Sequence, residues 1–195
     1  MGVSDAELAE LHTKKFAVMD DAVGEKMQER ILQAKSELNS VGGVIEAIAL
    51  HLPAGIGAPY FDSVESMLSH ALFSVPAVKG VEFGDGFGFA RLTGAEANDA
   101  LHYVDGKVKA LTNHNGGVTG GITNGMPFVV RVAIKPTPSI AREQQTVSLK
   151  EQADTTLAIV GRHDPCIVQR AVPVIEAVVA WTLWDLLLEA KKWEK

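Results

Sequence analysis

Apolar residues recur at helical spacing in several parts of the chain, which predicts amphipathic helices. The clearest stripe runs from Ala22 to Leu38, and the pair Gly42–Gly43 follows it at a place where a helix would end. Ser4 and Glu7 have the spacing of a capping box, so a short helix is expected to begin near Asp5.

Two further helices are predicted later in the chain. Asp62 and Glu65 precede an apolar stripe that continues to Leu72, and Pro76 marks its end. The last helix, from about Ala171 to Lys192, is apolar almost all the way round. A helix of that composition is expected to be buried on most of its faces.

Runs of β-branched and aromatic residues predict strands between these helices. The segment Val78–Leu92 alternates apolar residues around Gly-Asp-Gly, which suggests a hairpin or a bulged strand. The other predicted strands are Val44–Leu52, Phe128–Ile134, Thr146–Leu149 and Thr155–Val160. Because strands and helices do not alternate regularly, the predicted class is α+β. No repeat or linker divides the chain, so residues 1–195 are expected to form one domain.

Composition narrows the possible partners. Of 195 residues, 47% are hydrophobic and 22% charged, which is enough apolar material for a core. Lys and Arg total 18 against 24 Asp and Glu, so an extended nucleic-acid surface is not expected, although a small phosphorylated ligand remains possible. The single cysteine, Cys166, cannot form an internal disulfide, which favours a cytoplasmic protein.

No targeting or membrane segment is expected. The first twelve residues lack the basic start of a signal peptide. The apolar stretch from Val172 to Leu188 contains Glu176 and Asp185, and we interpret it as a buried helix rather than a membrane span. The histidines are scattered and no metal-binding spacing occurs, so no metal site is expected.

Three segments are candidates for binding or catalysis. Glycine pairs within the loop Asn113–Gly125 would expose backbone amides to an anion or a flat ring, or would simply form a tight turn. His114 lies inside this loop and could contact a ligand. In Lys135–Ser139 two prolines hold the chain extended, so that Thr137 and Ser139 point the same way beside a cation. This is either a phosphate site or a surface loop.

The third candidate combines Arg162, His163 and Asp164 just before the last helix. Such a cluster can have perturbed pKa values and take part in catalysis. Alternatively, Asp164 caps a turn and pairs with Arg162 at the surface. The neighbouring Cys166 is expected to be a packed small hydrophobic residue, since no base for a nucleophile is identifiable.

Taken together, these segments resemble the chorismate synthase family. The similar stretches follow the family's order and cover the chain from Phe16 onward. They are NSVGGVIEAIA (39–49), PAGIGAPYFD (53–62), SVPAVKGVEFGDGF (74–87), NHNGGVTGGITNGMP (113–127), KPTPSI (135–140) and GRHDPCIVQRAVPVIEA (161–177).

The resemblance implies a fold in which antiparallel sheets pack on helices as a sandwich, of which this chain would form about half. It also implies the family's reaction, in which 5-enolpyruvylshikimate 3-phosphate loses phosphate by 1,4-elimination to give chorismate. The family requires reduced FMN without net redox change, and some members reduce the flavin with NADPH. Its members assemble as tetramers.

Site residues follow from the same resemblance. Asp164 is implied to lie near the flavin N5 and to assist proton abstraction. The residues implied to bind FMN are Pro76, Ala77, Gly120, Lys135, Pro136, Thr137, Pro138, Ser139 and Arg162.

Family members are about twice as long, so the chain corresponds to their C-terminal portion. The catalytic histidines and substrate-binding arginines of the N-terminal portion have no counterpart among its 195 residues. We therefore expect either an enzyme part that works with a complementary N-terminal half, or a noncatalytic, self-associating remnant with weak FMN or anion binding. The apolar final helix predicts covering by another copy or by the complementary half.

Overall fold

A computed structural model describes residues 3–191 of the chain. The four α-helices are α1 (Asp5–Leu11), α2 (Asp21–Ser36), α3 (Val64–Phe73) and α4 (Val168–Lys191), and two 3₁₀ turns lie at Tyr60–Asp62 and Gly86–Arg91. The strands are β1 (Gly43–Ala49), β2 (Val78–Phe83), β3 (Leu101–Val104), β4 (Lys107–Ala110), β5 (Val118–Thr119), β6 (Ile122–Thr123), β7 (Phe128–Ile134), β8 (Gln144–Ser148) and β9 (Ala153–Leu157).

The central sheet has the order β1-β7-β2, and both pairings are antiparallel. In β7 buried and half-buried residues alternate, so Phe128, Val130, Val132 and Ile134 form one inner face that is 3% exposed or less. The sequence predicts β7 with the bounds that the structure has. Six further strands form three two-stranded hairpins outside this sheet.

The helices α3 and α4 pack side by side on this inner face. On α3, Val64, Leu68 and Leu72 are fully buried. Its N-cap is Ser63, whose hydroxyl accepts from the Ser66 amide at 3.0 Å. The sequence places this cap one residue too early, at Asp62, which instead closes the preceding 3₁₀ turn. An α+β architecture with an antiparallel sheet on helices is thereby confirmed.

One face of α4 is buried and the opposite face is open. Ile175, Val179, Leu183 and Leu186 are at most 5% exposed, whereas Trp181 on the other side is 76% exposed. The prediction of burial on most faces is therefore wrong within this chain, because a two-layer arrangement supplies a neighbour on one side only. The helix begins at Val168, before the predicted Ala171, and Lys192 lies outside the described residues.

By length and composition alone, α4 would also be long enough to cross a membrane. Its most apolar 18-residue window has a mean hydropathy of 1.7, and 22% of that window is buried. Core helices of soluble proteins, which are mostly buried, can have the same length and hydropathy. Within this chain, α4 packs against α3 and β1 on one face only.

The N-terminal helices are capped as expected but bury little. Ser4 and Glu7 form both hydrogen bonds of the predicted capping box at the start of α1. The helix α2 is capped by Asp20, and its apolar stripe is only partly covered: Ala34 is buried, whereas Met27 is 46% exposed.

Other predicted strands have different bounds. The strand β1 ends at Ala49 rather than Leu52, and β8 and β9 lie a few residues earlier than expected. The segment Val78–Leu92 is a bulged strand rather than a hairpin. The register of β2 against β7 shifts between Val78 and Gly80, and β2 ends at Phe83, where a 3₁₀ turn follows. A side chain at Gly84, whose φ is 54°, would collide with the His114 carbonyl, and this left-handed residue turns the chain out of the sheet.

Candidate functional site

The predicted site residues lie in two groups near opposite ends of α3. The first group begins where β7 ends and β2 begins. There the Lys135 amide donates to the Ala77 carbonyl at 2.9 Å. Ala77 has a φ of 74°, unusual for a residue with a side chain, and the exposed Pro76 precedes it. Pro76, Ala77 and Lys135 are therefore neighbours, which a common binding site would need.

The segment after Lys135 contains an unpaired hydroxyl. Thr137 Oγ1 is buried and has no hydrogen-bond partner among residues 3–191, although the Thr137 carbonyl accepts from Ser40 Oγ at 2.6 Å. A buried hydroxyl without a partner costs free energy unless a ligand supplies one. Ser139, two residues on, has its Oγ 3.4 Å from His163 Nδ1. This contact connects the segment to residues 161–165.

Residues 161–165 contain a second cation, Arg162, and the carboxylate of Asp164. Arg162 is exposed, and neither it nor Lys135 has a carboxylate within 4.0 Å among residues 3–191. Asp164 is paired instead with Arg170, at 2.5 Å between Oδ2 and Nη1. The alternative pairing of Asp164 with Arg162 is therefore wrong. Lys135 and Arg162 carry the cations, and Thr137 the hydroxyl, that the sequence predicts for a phosphate site.

Gly120 belongs to the second group, away from these residues. It lies in the turn between β5 and β6, where it has a φ of 64° and is exposed. The next residue, Gly121, accepts at its carbonyl from the Val64 amide at 3.0 Å, which places the turn at the N-terminus of α3. Ala77 follows the C-terminus of that helix. The ten residues of α3, a helix about 15 Å long, lie between the two groups.

The beginning of the glycine-rich loop is a hydrogen-bonded turn. Asn113 Oδ1 accepts from the Gly117 amide at 2.9 Å, and Asn113 Nδ2 donates to the Pro127 carbonyl at 2.8 Å. His114 Nδ1 is 2.6 Å from Asp85 Oδ2, so its ring is held by a carboxylate. For residues 113–117 the geometry favours the structural interpretation, and only the Gly120 turn faces open space.

Asp99 holds this turn, a role that no motif in the sequence indicates. Its carboxylate accepts from Thr112 Oγ1, from the backbone amides of His114 and Asn115, and from Asn115 Nδ2, at 2.7 to 3.0 Å. Burial by itself raises the pKa of Asp99, but these four hydrogen bonds stabilise the anion and hold the pKa below its usual value.

The remaining candidates for chemistry are Cys166 and a possible metal site. Cys166 is half-buried in a groove of about 220 Å³ that Gln28, Ile31, Leu32 and Gln169 also line. Among residues 3–191 no group of three His, Cys, Asp or Glu residues is placed to hold a metal ion.

Comparisons with known proteins agree on one family. The family model for chorismate synthase matches residues 2–188. Chorismate synthase of Thermococcus gammatolerans is 50% identical over 175 residues, which are 90% of this chain and 49% of the relative. The enzyme of Dehalococcoides mccartyi is 50% identical over 171 residues, 88% of this chain and 47% of the relative. The chain thus spans about half the length of these curated relatives.

A solved structure gives the same result for the fold. A crystal structure of chorismate synthase superposes with a TM-score of 0.75 at 32% identity, covering 95% of this chain and 50% of that one.

Replacing Asp99 tests the role of its carboxylate. Asp99→Asn cannot satisfy all four donors, and we expect it to lower the free energy of unfolding at pH 7 by about 1–3 kcal/mol. Since the folded state lowers the pKa of Asp99, its stabilisation is present above the ordinary value of 3.8 and is lost as pH falls through the folded value. Urea unfolding between pH 7 and pH 3 measures both effects.

Asp105→Asn, at the exposed tip of the β3–β4 hairpin, is the matched control, because Asp105 forms no side-chain hydrogen bond or ion pair with residues 3–191. An Asp99→Asn protein as stable as this control at pH 7 would contradict the assignment.

Proposed function

Because the chain belongs to the chorismate synthase family, we propose that it supplies the C-terminal half of such an enzyme. The reaction proposed is the 1,4-elimination of phosphate from 5-enolpyruvylshikimate 3-phosphate to give chorismate, a step of the shikimate pathway, in the cytoplasm. Two observations carry the proposal together. The family model matches residues 2–188, and the chain is about 50% identical to the relatives.

The cofactor in this proposal is reduced FMN, which when bound supplies an electron-rich ring that the reaction does not consume. The buried, unpaired Thr137 Oγ1 supports the fit, because a phosphate oxygen would give this hydroxyl the acceptor that it lacks. Lys135 and Arg162 would neutralise the phosphate charge, and the Ser139 hydroxyl would donate a further hydrogen bond. Pro136 and Pro138 keep the segment extended, so less entropy is lost on binding.

The distance between the two groups of residues constrains how the cofactor lies. Pro76 and Ala77 adjoin Lys135, whereas Gly120 is near the other end of α3. One flavin contacts both groups only if it lies extended along this helix. Gly120 carries no side chain, and a Cβ there would meet nothing within 4 Å, so a flat ring can approach the backbone.

Asp164 is the proposed proton-transfer residue. Arg170 holds its Oδ2 and thereby fixes the orientation of the carboxylate, leaving Oδ1 for the substrate. Protonation of the flavin and assistance to the departing phosphate would fall to histidines of an N-terminal half. This chain would then bind the cofactor and position one carboxylate, and its partner would complete the site.

The outer face of α4 is the proposed contact with that half. Val174, Trp181 and Leu188 are spaced seven residues apart and lie on the exposed side of the helix, roughly opposite the buried stripe, where Asp185 also lies. Trp184 beside them is 58% exposed. Apolar residues on two opposite faces are typical of a helix in the middle of a sandwich, and the missing layer matches the half of the relatives that this chain does not span. Homo-oligomers, such as the family's tetramer, would form from such units.

Complementation tests the reaction. We expect product when the chain is co-expressed with the N-terminal half of the Thermococcus gammatolerans enzyme and supplied with reduced FMN and substrate. Phosphate release and chorismate are both measured. Asp164→Asn should lower the rate by about 10²- to 10⁴-fold, the contribution of one positioned acid–base group.

Asp154→Asn, on the exposed strand β9, is the matched control and should retain the full rate. A folded complex without product would reject the catalytic proposal in favour of a noncatalytic remnant.

FMN titration tests the phosphate site independently of turnover. Thr137→Val removes the unpaired hydroxyl, and we expect FMN to bind about 10- to 100-fold more weakly, since hydrogen bonds to charged groups contribute about 1.5–3 kcal/mol. The variant should be at least as stable as the parent, because a buried polar atom without a partner is replaced by a methyl group. Flavin fluorescence and thermal unfolding provide the two readouts.

The titration is made on the chain alone and on its complex with the N-terminal half. Thr146→Val on the exposed strand β8 is the control. Equal FMN affinity of Thr137→Val and the control, or no FMN binding by either preparation, would contradict the site.

The α4 contact is tested by a charge on its outer stripe. Trp181→Glu should weaken association with the N-terminal half by about 30-fold or more, as expected when a central aromatic contact worth at least 2 kcal/mol is lost. Calorimetric titration measures the affinity. Gln169→Glu adds the same charge to an exposed position in the first turn of α4, outside the stripe, and should bind as the parent does. Equal weakening by both variants would argue against a contact at this stripe.

A further inference from the structure

The chain contains two Asn-Gly sequences, Asn115-Gly116 and Asn124-Gly125, and both lie in the glycine-rich segment between β4 and β7. Asparagine is one of the chemically labile residues of proteins. A following glycine makes it more reactive, because glycine has no side chain to keep its backbone nitrogen away from the asparagine side chain. The two dipeptides are alike in sequence, so their surroundings decide which of them reacts.

Hydrogen bonds and packing protect Asn115-Gly116. The Gly116 amide donates to the Asn113 carbonyl at 3.1 Å, and Asn115 Nδ2 donates to Asp99 Oδ2 at 2.8 Å. Gly116 is also buried against the chain at Gly84, and a Cβ on Gly116 would collide with the Gly84 nitrogen. The backbone nitrogen of Gly116 and the side-chain amide of Asn115 are therefore both held in place, with little space for the backbone to rearrange.

Asn124-Gly125 is exposed at both residues. Among residues 3–191 the Gly125 amide has no hydrogen-bond acceptor, and a Cβ on Gly125 would meet only Ala54, at 3.7 Å. Asn124 Oδ1 accepts from the Met126 amide at 3.0 Å, and this hydrogen bond draws electron density away from Cγ. One hydrogen bond, to Thr119 Oγ1 at 3.1 Å, holds Asn124 Nδ2. The Gly125 nitrogen is thus free to attack, and the carbon that it would attack is activated.

We infer that Asn124 is a deamidation site and that its surroundings protect Asn115. The Gly125 nitrogen loses its proton to water and forms a bond to Asn124 Cγ, while the Cγ–Nδ2 bond breaks and Nδ2 leaves as ammonia with a proton from water. Water then opens the cyclic imide at either carbonyl, which gives aspartate or isoaspartate at position 124. The step needs no oxidant or reductant, and the inference does not depend on the proposed enzymatic function.

The products change the turn that contains Gly120. Asn124 closes the β5–β6 hairpin, because its backbone amide donates to the Gly117 carbonyl at 3.0 Å and its side chain contacts Thr119. Aspartate keeps an oxygen that can accept from the Met126 amide, but it adds a negative charge. Isoaspartate carries an extra methylene in the main chain, which shifts the amide and the carbonyl on either side of it. Deamidation therefore places a carboxylate near the Gly120 turn and loosens the hairpin when isoaspartate forms.

Peptide mapping of the folded chain by mass spectrometry tests the inference. After incubation at pH 9, we expect conversion at Asn124 to be faster than at Asn115 by about 10-fold or more, because breaking the hydrogen bonds of Asn115 and Gly116 adds to the barrier. The same chain unfolded in urea is the matched control. There both dipeptides are free of their surroundings and should convert at similar rates. Conversion should be slower at pH 6, since fewer backbone nitrogens lose a proton.

A variant provides the second readout. Asn124→Gln lengthens the side chain and disfavours ring closure, so it should remove most of the acidic species that isoelectric focusing detects in the incubated parent. Asn98→Gln is the control, since Asn98 is also exposed but is not followed by glycine, and it should leave those species in place. Equal conversion of Asn115 and Asn124 in the folded chain, no conversion at Asn124, or the same acidic species in both variants would overturn the inference.

Discussion

The arrangement of the molecule depends on the burial of β7 under α3 and α4. This strand is hydrogen-bonded on both sides, to β1 and β2, and each of its inward side chains is at most 3% exposed. Its C-terminal end leads into Lys135 and the phosphate-binding candidates, and its N-terminal end emerges from the glycine-rich loop. A single buried strand therefore sets the positions of both groups of predicted site residues, and the length of α3 above it sets the distance between them.

The second constraint is that the described part of the chain covers only one face of α4, by packing it against α3 and the central sheet. The helix covers the sheet with one stripe and presents another apolar stripe, including Trp181, to the opposite side. In a two-layer protein the outer stripe would be polar. Together with the half-length match to the relatives, this pattern explains why the FMN and proton-transfer residues of this chain are proposed to work with residues of another polypeptide segment.

Much of the candidate site could be predicted because its chemistry is local. Lys135, Thr137 and Ser139 are close in sequence, and the prolines between them fix an extended backbone whatever surrounds it. The role of Arg170 could not be predicted in this way. It reaches Asp164 across the turn that enters α4, and this contact depends on the direction in which that helix leaves the turn. Asp99 was likewise missed, since its four donors come from residues 112–115 on the far side of the β3–β4 hairpin.

By itself, the sequence determined the α+β class, the bounds of β7, the capping of α1 and the family resemblance through its glycine and proline segments. Each of these depends on neighbours along the chain, through side-chain periodicity, capping or restricted φ angles. Only the tertiary structure decided which face of α4 is buried, that β2 ends at Phe83, and that Gly120 and Ala77 lie near opposite ends of α3. Periodicity identifies an apolar face but not the surface that covers it, because burial depends on elements that are distant in sequence.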